Sequence, residues 1–493
     1  MSLYSNSKQQ KYIKKDWSSF LNFLESVEDR NKQLVHIKRN PFALFVDPAS
    51  FCNLQCPFCP TGNRISAREP ESLALNHFKK LIDEVGNDIF HIGFYNWGEP
   101  LLNRDLADML NYIKKFSISS EISTNMSIPL SNERAIELMK TNIDRIIMSV
   151  DGVTQESYQK YRVGGNLELV FKNMKLLVDA KNKTQNTNTS LVWRFLVFKH
   201  NEHEIDKAKS LAKEIGVEIA FEKPYVYPKF EEWGSTIEQF RPVNFSSNQE
   251  KSISRHEPEI ENTRILNSKL VLPKSCDWLW FMPIVNGNGN VSPCCITVFD
   301  KQDFGNIKED KLISILNNKK FVNARKLASG QEIEPNLNLI CEKCPGKEIW
   351  HNSDETITIV FESLIMKLAQ KYPQIKDLTV NNIDWETFQK LKEMVISQMK
   401  GIDDSIHGAK KQNKRSIFSL FNLKKTKPVD TATLEKSLHS IYNEMLGRNA
   451  DKLALDYFLP LLEKKAITEN GIRKIINNSE EYKSQSLSNK YAL

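Results

Sequence analysis

The stretch DPASFCNLQCPFCPTGN, residues 47–63, follows a short apolar run that predicts a buried strand. It places three cysteines, Cys52, Cys56 and Cys59, in the spacing Cys-x3-Cys-x2-Cys. Thiolates this close in sequence can wrap one corner of a metal centre. A [4Fe–4S] cluster normally takes four thiolates, so three leave one iron open to an outside ligand. The simpler alternatives are a zinc site short of one ligand and three unrelated buried cysteines, but no histidine lies in the segment to complete a zinc site.

The composition bounds the class of protein. The chain has 493 residues, of which 40% are hydrophobic, enough for a sizeable core in one to three domains. The net charge of +7 is mild, because 61 acidic residues nearly match 68 basic ones, so nucleic acid is not indicated as a partner. No secretory signal and no membrane-spanning stretch stands out. We therefore expect a cytoplasmic protein whose eight cysteines bind metal instead of forming disulfides.

Six alternations of a short apolar strand with an amphipathic helix follow an N-terminal helical segment. Such βα units predict an α/β fold with a parallel sheet and right-handed connections, here a partial (β/α)6 barrel. Its sites should lie at the carboxyl ends of the strands. We divide the chain into an N-terminal helical segment (1–40), the barrel (41–225), a bridging segment (226–275), a second cysteine-rich region (276–350), a helical segment (351–407), a basic linker (408–430) and a small helical unit (431–485).

The triad, in a loop after the first strand, resembles the radical S-adenosylmethionine (SAM) superfamily. The resemblance implies that the open iron binds the amino and carboxylate groups of SAM and that one electron from the cluster breaks the sulfonium C–S bond. The resulting 5′-deoxyadenosyl radical then abstracts a hydrogen atom, so the cofactor carries the difficult chemistry. The resemblance covers residues from about 40 to 222, and Phe58 matches the family's aromatic position near the adenine.

The segment NWGEP, residues 96–100, comes after the second strand and resembles the GGEP motif of the same family. Gly98, Glu99 and Pro100 are retained, which implies that recognition of the cofactor's amino group is retained too. Trp97 stands where the family has its first glycine. This departure should narrow the space above the backbone.

The third and fourth strands also end in residues that match the family. Ser123 and Asn125 come where the family contacts the ribose, and Ser149 and Asp151 match a cofactor-facing position. Each of these side chains, taken alone, is compatible with an ordinary polar position in a barrel. Their order on successive strands is what carries the resemblance.

Two arginines are rivals for the carboxylate of the cofactor's methionine. Arg194 lies on the fifth strand, and Arg162 lies in the sequence YRVGG. A guanidinium forks around a carboxylate with two parallel hydrogen bonds, so either residue type is suited to the task. We favour Arg194 and keep Arg162 as the rival, and for each of them an ordinary polar position in the barrel is as good an explanation.

The second cysteine-rich region contains Cys276, the adjacent pair Cys294 and Cys295, and Cys341-x2-Cys344. Four thiolates in this arrangement suffice for a closed [4Fe–4S] cluster, and they also suffice for a structural zinc site. The spacing alone is almost equally compatible with the cluster and with the zinc site. It also leaves open which residue of the adjacent pair is the ligand.

The context VNGNGNVSPCC, then FGNI, a helix and CEKCP resembles the SPASM and "twitch" domains appended to radical SAM enzymes. Full SPASM domains hold two auxiliary clusters, and this chain has cysteines for one, as in the shortened form found in enzymes that dehydrogenate an alcohol on an aminoglycoside precursor. The resemblance implies an auxiliary [4Fe–4S] cluster on Cys276, Cys294, Cys341 and Cys344. Gly287 and Gly289 fit a tight hairpin turn in this region.

The C-terminal part carries two further signals. Residues 410–427 bracket apolar side chains with lysines, which suits a peripheral membrane contact, although such a segment is more often a solvated linker or packs on the protein itself. The last unit resembles a small helical domain of unknown function attached to proteins of surface-glycan assembly. The matching residues look like core and turn positions: Tyr442, Leu446, Gly447, Arg448, Asp451, Tyr457, Ser479, Glu480 and Tyr482.

Together the patterns imply a radical SAM enzyme acting on a sugar or sugar nucleotide in surface-glycan biosynthesis, by dehydrogenation, epimerisation or a related reaction. A SPASM-type peptide-modifying enzyme is the alternative, and a non-catalytic iron–sulfur scaffold is a third hypothesis. The chemistry implies an electron donor such as flavodoxin or ferredoxin. No catalytic acid or base is identified, and Tyr225, Tyr227 and Trp233 are equally suited to the barrel mouth and to packing.

Overall fold

The computed structural model describes residues 7–65, 68–224, 232–241, 276–344, 385–406 and 431–451, and scattered helical positions between 454 and 476. The basic linker 408–430 and most of the bridging segment, with Tyr225 and Tyr227, lie outside the described residues. So do Tyr457, Ser479, Glu480 and Tyr482 of the last unit. The chain separates into two compact units, residues 1–414 and 415–493.

The alternation of strands and helices predicted from the sequence is confirmed. The strands of the barrel region are β1 (Ala43–Val46), β2 (His91–Phe94), β3 (Ser119–Thr124), β4 (Arg145–Ser149), β5 (Ser190–Leu196) and β6 (Glu218–Glu222). The helices are α1 (Ser7–Asn31), α2 (Leu75–Val85), α3 (Leu106–Ile113), α4 (Asn132–Lys140), α5 (Gln155–Tyr161), α6 (Leu167–Lys183) and α7 (Ile205–Ile215). The short helix α5 was not predicted, because its seven residues are too few to show a helical period.

The second cysteine-rich region adds further short elements. They are α8 (Trp278–Phe281), β7 (Ile284–Val285), β8 (Asn290–Ser292), β9 (Gly305–Asn306), α9 (Leu312–Leu316) and α10 (Lys319–Ala328). A long helix, α11 (Trp385–Ile406), completes the described part of the first unit, and α12 (Thr431–Leu446) opens the described part of the second.

All nine strands belong to one sheet, in the order β6-β5-β4-β3-β2-β1-β7-β8-β9. The six strands of the barrel region pair in parallel, each with its neighbour along the chain. β7 extends this array by pairing in parallel with β1, with Phe45 opposite Ile284, and β8 and β9 follow as antiparallel partners. The second cysteine-rich region therefore continues the sheet of the first, which the sequence did not predict.

Alternation along β5 shows which face of the sheet is covered. Leu191, Trp193 and Phe195 are buried on one face, while Arg194 and its neighbours two residues away are half-buried on the other. Successive side chains of a strand point to opposite faces, so the fully buried set packs under the helices and the half-buried set lines the opposite face. We call this opposite face the lumen face.

The hairpin of β7 and β8 is built against the first cysteine loop. Gly289 has φ +85°, a left-handed conformation that glycine adopts without strain, and it closes the turn predicted from the sequence. Gly287 donates its N–H to Ser50 Oγ at 3.0 Å, and a Cβ on Gly287 would lie 2.2 Å from the carbonyl oxygen of Glu71. Only glycine permits this approach.

A buried arginine fastens the same two regions together. Arg68 forks onto Asp303 with hydrogen bonds of 2.7 and 2.9 Å, and it also reaches Asp300 and the carbonyl oxygen of Thr297. The side chains of Arg68 and Asp303 are only 1% and 3% exposed. Ser292 Oγ donates to the same carboxylate at 2.5 Å. Both oxygens of the desolvated Asp303 carboxylate are therefore hydrogen-bonded.

The N-terminal helix packs on the second cysteine-rich region, and its predicted apolar face is buried. Arg30, near the end of α1, donates to Asp277 at 2.9 Å and lies over the ring of Trp280. Arg325 lies near the same ring, and the indole N–H of Trp280 donates to the carbonyl of Leu34. Cations beside an indole ring are attracted to its π face, so Trp280 ties the helix to this region.

The second unit has its own apolar core. Leu438, Ile441, Tyr442 and Leu446 are buried along α12, and Gly447 follows in the left-handed conformation typical of a helix end. Within the described residues, no helix is long and apolar enough to cross a bilayer.

We expect Arg68→Met to destabilise the protein by about 3–5 kcal/mol, because it leaves the buried carboxylate of Asp303 without its cation. Chemical unfolding followed by tryptophan fluorescence measures the change. Lys308→Met is the matched control: it breaks an exposed pair with Glu71 between the same two regions, at 3.4 Å, and should cost less than about 1 kcal/mol. Equal effects of the two variants would contradict the prediction.

Candidate active site and metal centres

The cysteine triad lies in the loop after β1, at the carboxyl edge of the parallel sheet. Leu54 donates its backbone N–H to Cys52 Sγ at 3.4 Å, and Asn125 Nδ2 lies 3.5 Å from the same sulfur. Gly62 closes the loop: a Cβ there would lie 2.5 Å from the backbone nitrogen of Cys56. The loop is thus held by groups that donate hydrogen bonds to sulfur.

The donors around the sulfurs match what a thiolate-ligated cluster needs. Arg162 Nη1 lies 3.9 Å from Cys56 Sγ and supplies positive charge beside it. Burial raises the pKa of the Cys52 thiol to about 12, and the pKa values of Cys56 and Cys59 are raised for the same reason. Thiols of this kind lose their protons when they bind a metal, and N–H donors to the sulfurs then set the reduction potential of a cluster. The residues present therefore fit a cluster.

The NWGEP turn lies directly against this loop. A Cβ on Gly98 would lie 1.5 Å from the carbonyl oxygen of Ala49, so only glycine allows the two backbones to meet. Asp47, at the end of β1, accepts N–H groups of Gly98 at 3.3 Å and of Trp97 at 3.4 Å. Its carboxyl is fully buried, and burial raises its pKa to about 7. We did not predict a role for Asp47 from the sequence, although its position as the polar residue that ends a buried strand was a usable signal.

Glu99 is 2% exposed, and both of its carboxylate oxygens are engaged inside the protein. Oε1 accepts the N–H of Leu101 at 3.0 Å, and Oε2 accepts the N–H of Asn125 at 2.8 Å. Burial raises the pKa of Glu99. The residue therefore fastens the NWGEP turn to the end of β3, and the short 3-10 helix from Pro100 begins beside it. Recognition of the amino group by Glu99 stays a prediction.

Ser123, Ser149 and Arg194 meet on the lumen face, from three adjacent strands. Arg194 Nη2 donates to Ser149 Oγ at 2.7 Å and lies 3.1 Å from Ser123 Oγ, and the two hydroxyl oxygens are 3.3 Å apart. Arg194 Nε is buried and meets no acceptor in the described part of the chain. The cluster thus carries a guanidinium with an unused donor beside the strand ends, which suits an incoming carboxylate.

Arg162 has a different environment from its rival. Its Nε donates to Asp151 Oδ2 at 2.6 Å, and the side chain of Asp151 is fully buried. Asp151 Oδ1 accepts the N–H of Leu196 at 2.7 Å. Burial works against the charge of Arg162, but Asp151 and Cys56 outweigh it and raise its pKa. Arg162 and Asp151 therefore form an internal pair beside the triad, whereas Arg194 keeps a buried donor without an acceptor among the described residues.

Phe58 lies within a cluster of aromatic side chains next to the triad. Its ring centroid is 5.5 Å from that of Tyr161 and 5.1 Å from that of Trp233, and Phe198 completes the cluster. Trp233 also lies edge-on to His200. Of the two alternatives for Trp233, packing beside the first cysteine loop is the one seen in the structure.

Four cysteines of the second region line one pocket: Cys276, Cys294, Cys341 and Cys344. The rest of its wall is apolar, from Leu279, Pro293, Ile296 and Ile340. Burial raises the pKa of the Cys294 thiol to about 11 and also raises that of Cys276. Four thiols around a pocket with apolar walls fit a metal centre that replaces their protons.

Cys295 does not line this pocket, although it is half-buried beside Cys294. Its carbonyl oxygen accepts the indole N–H of Trp97 at 2.8 Å. Among the residues that the structure describes, no three histidine, cysteine, aspartate or glutamate side chains converge on a point where they could hold a single metal ion. The pocket favours Cys294 over Cys295 as the fourth ligand.

The lumen face carries a second polar group that the sequence did not reveal. Tyr95 donates to Glu121 Oε1 at 2.6 Å, and Arg145 Nη2 lies 3.0 Å from Glu121 Oε2. Burial alone would raise the pKa of Glu121, but hydrogen bonds from His91 and Tyr95 and the charge of Arg145 lower it to about 2. The face thus holds an ionised carboxylate two residues before Ser123. Period-two alternation in β3 was the signal that could have found it.

Comparisons with known proteins match the two regions of the chain in which these sites lie. The family model "Radical SAM superfamily" matches residues 46–212, and the SPASM model "Iron-sulfur cluster-binding domain" matches residues 276–345. Both models end before the last helical unit, so its resemblance to a surface-glycan domain stays a prediction.

Similar curated proteins include the AdoMet-dependent heme synthase of Methanosarcina barkeri, 28% identical over 178 residues, which are 36% of this chain and 48% of that protein. The GTP 3′,8-cyclase of Desulforamulus reducens is 23% identical over 185 residues, 37% of this chain and 55% of that protein. The chain thus spans about half the length of the curated relatives it matches.

Similar solved structures include BtrN in complex with AdoMet and 2-DOIA, at 18% identity and a TM-score of 0.35, covering 59% of this chain and 88% of that one. Streptococcus suis SuiB bound to S-adenosylmethionine is 13% identical with a TM-score of 0.46, covering 70% of this chain and 79% of that one.

We expect Cys294→Ala and Cys295→Ala to differ in metal content. The wild type should hold about eight irons after anaerobic reconstitution, and Cys294→Ala about four, whereas Cys295→Ala should keep the full count. Iron and sulfide analysis with zinc determination measures this. Loss of iron from Cys295→Ala alone would reverse the assignment, and about four irons plus one zinc in the wild type would contradict a second cluster.

Arg194→Met should weaken SAM binding by about 10- to 100-fold, because a hydrogen bond to a charged group contributes ~1.5–3 kcal/mol. Equilibrium binding to cluster-loaded protein measures the affinity. Arg194→Lys keeps the charge but not the fork, so it should lie between wild type and Arg194→Met. If Arg194→Met bound SAM as tightly as the wild type, while Arg162→Met bound it more weakly at full iron content, Arg162 would be the residue that binds the carboxylate.

Proposed function

Because the chain carries a radical SAM domain followed by a SPASM iron–sulfur domain, we propose that it is a radical SAM enzyme with one auxiliary cluster. The two domains imply [4Fe–4S] clusters and SAM as cofactors. Cys52, Cys56 and Cys59 would hold the first cluster, and Cys276, Cys294, Cys341 and Cys344 the second. When bound, the first cluster would supply the electron that cleaves SAM to methionine and a 5′-deoxyadenosyl radical.

One observation carries the proposal: polar groups that suit SAM border the triad along one edge of the sheet. The NWGEP turn meets the triad loop at Gly98, and Asn125 donates toward Cys52 from the end of β3. Arg194 and its two serine partners follow on the lumen face of the next strands. Sites of parallel α/β sheets lie at this edge of the strands.

The chain's own residues bind and orient in this proposal. Arg194, with Ser123 and Ser149, would take the carboxylate of the cofactor, and Phe58 would lie toward the adenine. The NWGEP turn would offer backbone groups to the amino end. The Arg162–Asp151 pair would keep a positive charge beside Cys56, where it stabilises negative charge on sulfur.

We further propose a polar, hydroxyl-bearing substrate, with a sugar or sugar nucleotide of surface-glycan biosynthesis preferred. The support is the lumen face, which carries the hydrogen-bonded polar group of Tyr95, Glu121 and Arg145 in addition to the Arg194 cluster. Sites built of buried hydrogen-bonding groups reject ligands that cannot pair with them. Dehydrogenation, epimerisation or a related reaction would begin with abstraction of a hydrogen atom from a C–H bond of this substrate. A peptide is the alternative substrate.

The auxiliary site has two candidate roles in such a reaction. It would accept an electron from a substrate radical, or it would help to hold the substrate. A reductant such as flavodoxin or ferredoxin would supply the electron for SAM cleavage. Reduced thiolates favour a reducing compartment, so the cytoplasm is the proposed location.

The test is SAM cleavage by anaerobically reconstituted protein with dithionite. We expect 5′-deoxyadenosine and methionine from the wild type and none from Cys56→Ala, which should lose the first cluster. Cys344→Ala is the matched control: it should lose the auxiliary iron yet still form 5′-deoxyadenosine. A wild type that holds both clusters but forms no 5′-deoxyadenosine with any candidate substrate would favour the scaffold hypothesis.

Substrate class is resolved by adding candidates to the same assay. A polyhydroxyl substrate labelled with deuterium at the reacting carbon should transfer deuterium into 5′-deoxyadenosine. Transfer from a labelled precursor peptide instead would favour the peptide-modifying alternative.

A further inference from the structure

Trp97 contacts a cysteine in each of the two cysteine-rich regions. Its carbonyl oxygen lies 4.0 Å from Cys59 Sγ, and its indole Nε1–H donates to the carbonyl of Cys295 at 2.8 Å. Cys295 directly follows Cys294, which lines the second pocket. The two regions also meet at Asn96, whose Nδ2 lies 3.4 Å from Asn286 Oδ1, but that contact reaches neither cysteine loop.

On the side of the first site the backbone of Trp97 is fixed. Its N–H and that of Gly98 point at the two carboxylate oxygens of Asp47, and Gly98 lies in contact with Ala49. The indole ring makes no aromatic or cation contact within the part of the chain that the structure describes. Its hydrogen bond to Cys295 is therefore the polar interaction that orients the ring.

On the side of the second site the acceptor belongs to an irregular turn. Residues 293–299 form neither helix nor strand, and within them Thr297 donates its N–H to the carbonyl of Cys294 at 3.3 Å. A metal bound by Cys294 would hold this turn in one conformation. A filled second site would therefore help to fix the position of the Cys295 carbonyl.

We propose that Trp97 is a positioning residue that makes SAM binding at the NWGEP turn depend on occupancy of the second cysteine site. The inference rests on the proposed function, because SAM is the ligand at the turn. A filled second site fixes the Cys295 carbonyl, and this in turn fixes the indole beside the cofactor position. When the second site is empty the indole ring is free to move, and part of the free energy of SAM binding is then used to order it. SAM would then bind well only to protein that has received its auxiliary cluster.

The expected effect is set by one hydrogen bond. A net contribution of ~1 kcal/mol corresponds to about a fivefold change in affinity. A double-mutant cycle compares four proteins that all carry the first cluster: wild type, Trp97→Phe, Cys344→Ala, and the double variant. SAM affinity, measured by equilibrium binding without turnover, should fall about fivefold in each single variant and no further in the double variant. Multiplied losses in the double variant, or an unchanged Cys344→Ala, would overturn the proposal.

Two further variants separate coupling from general loosening. Cys295→Ala keeps the backbone carbonyl and should bind SAM like the wild type. Lys308→Met breaks a contact between the same two regions, with Glu71, that lies outside the turn carrying the Cys295 carbonyl, so Cys344→Ala should still lower SAM affinity in that background. If Lys308→Met abolished the dependence as Trp97→Phe does, Trp97 would be merely structural and the proposal would fail.

Reciprocity supplies a readout that does not use SAM affinity. Since coupling between two sites acts equally in both directions, SAM should raise the retention of auxiliary iron against a chelator by about the same factor, in the wild type and not in Trp97→Phe. Protein that binds SAM with this dependence but forms no 5′-deoxyadenosine would overturn the proposed function alone. Protein that does not bind SAM at all would overturn both.

Discussion

The contact between the Gly98 turn and the carbonyl of Ala49 is the constraint on which the two sites depend. There the chain after β2 meets the chain after β1 with no room for a side chain. Asp47 fixes the turn by accepting the backbone N–H groups of Trp97 and Gly98. Glu99 fixes it by accepting the N–H of Asn125 at the end of β3. The cysteine loop, the turn and the third strand end are thereby locked into one arrangement. A cofactor that must bridge a metal and a strand edge needs this rigidity, because positioning is the main contribution the protein makes.

Burial of charge follows from the same arrangement. Asp47, Glu99 and Asp151 are all desolvated near the triad, and each is met by backbone N–H groups or by an arginine. Leaving a buried carboxylate unmatched costs far more than a hydrogen bond returns, so the sequence must supply a donor for every oxygen. Arg162 answers that need at Asp151 and still leaves a guanidinium nitrogen close to Cys56. Arg194 has no such carboxylate partner in the described residues, which is why its remaining donor is open to a ligand.

Local patterns predicted most of the fold and the cysteine sites. Period-two and helical alternation located the six barrel strands and their main helices, since each element has one buried face. The pairing of β7 with β1 escaped prediction because two residues of strand carry no period. The roles of Arg68 and Trp97 escaped for a different reason. Their partners Asp303 and Cys295 lie about 200 residues away in sequence, and no local signal reports such a contact. The two arginine rivals likewise differ in their partners, which only the fold reveals.

Continuity of the sheet changes what the second cysteine region is. A domain appended through a linker would hold its metal at a variable distance from the first site. Here β7 pairs with β1, Gly287 lies on Ser50, and Arg68 closes the same junction, so the hairpin that leads to Cys294 is part of the barrel's own sheet. A substrate bound on the lumen face would then meet the first site and the second at fixed positions. Trp97 lies at that junction, where its indole joins the NWGEP turn to the residue after Cys294, so the geometry of the first site is tied to that of the second.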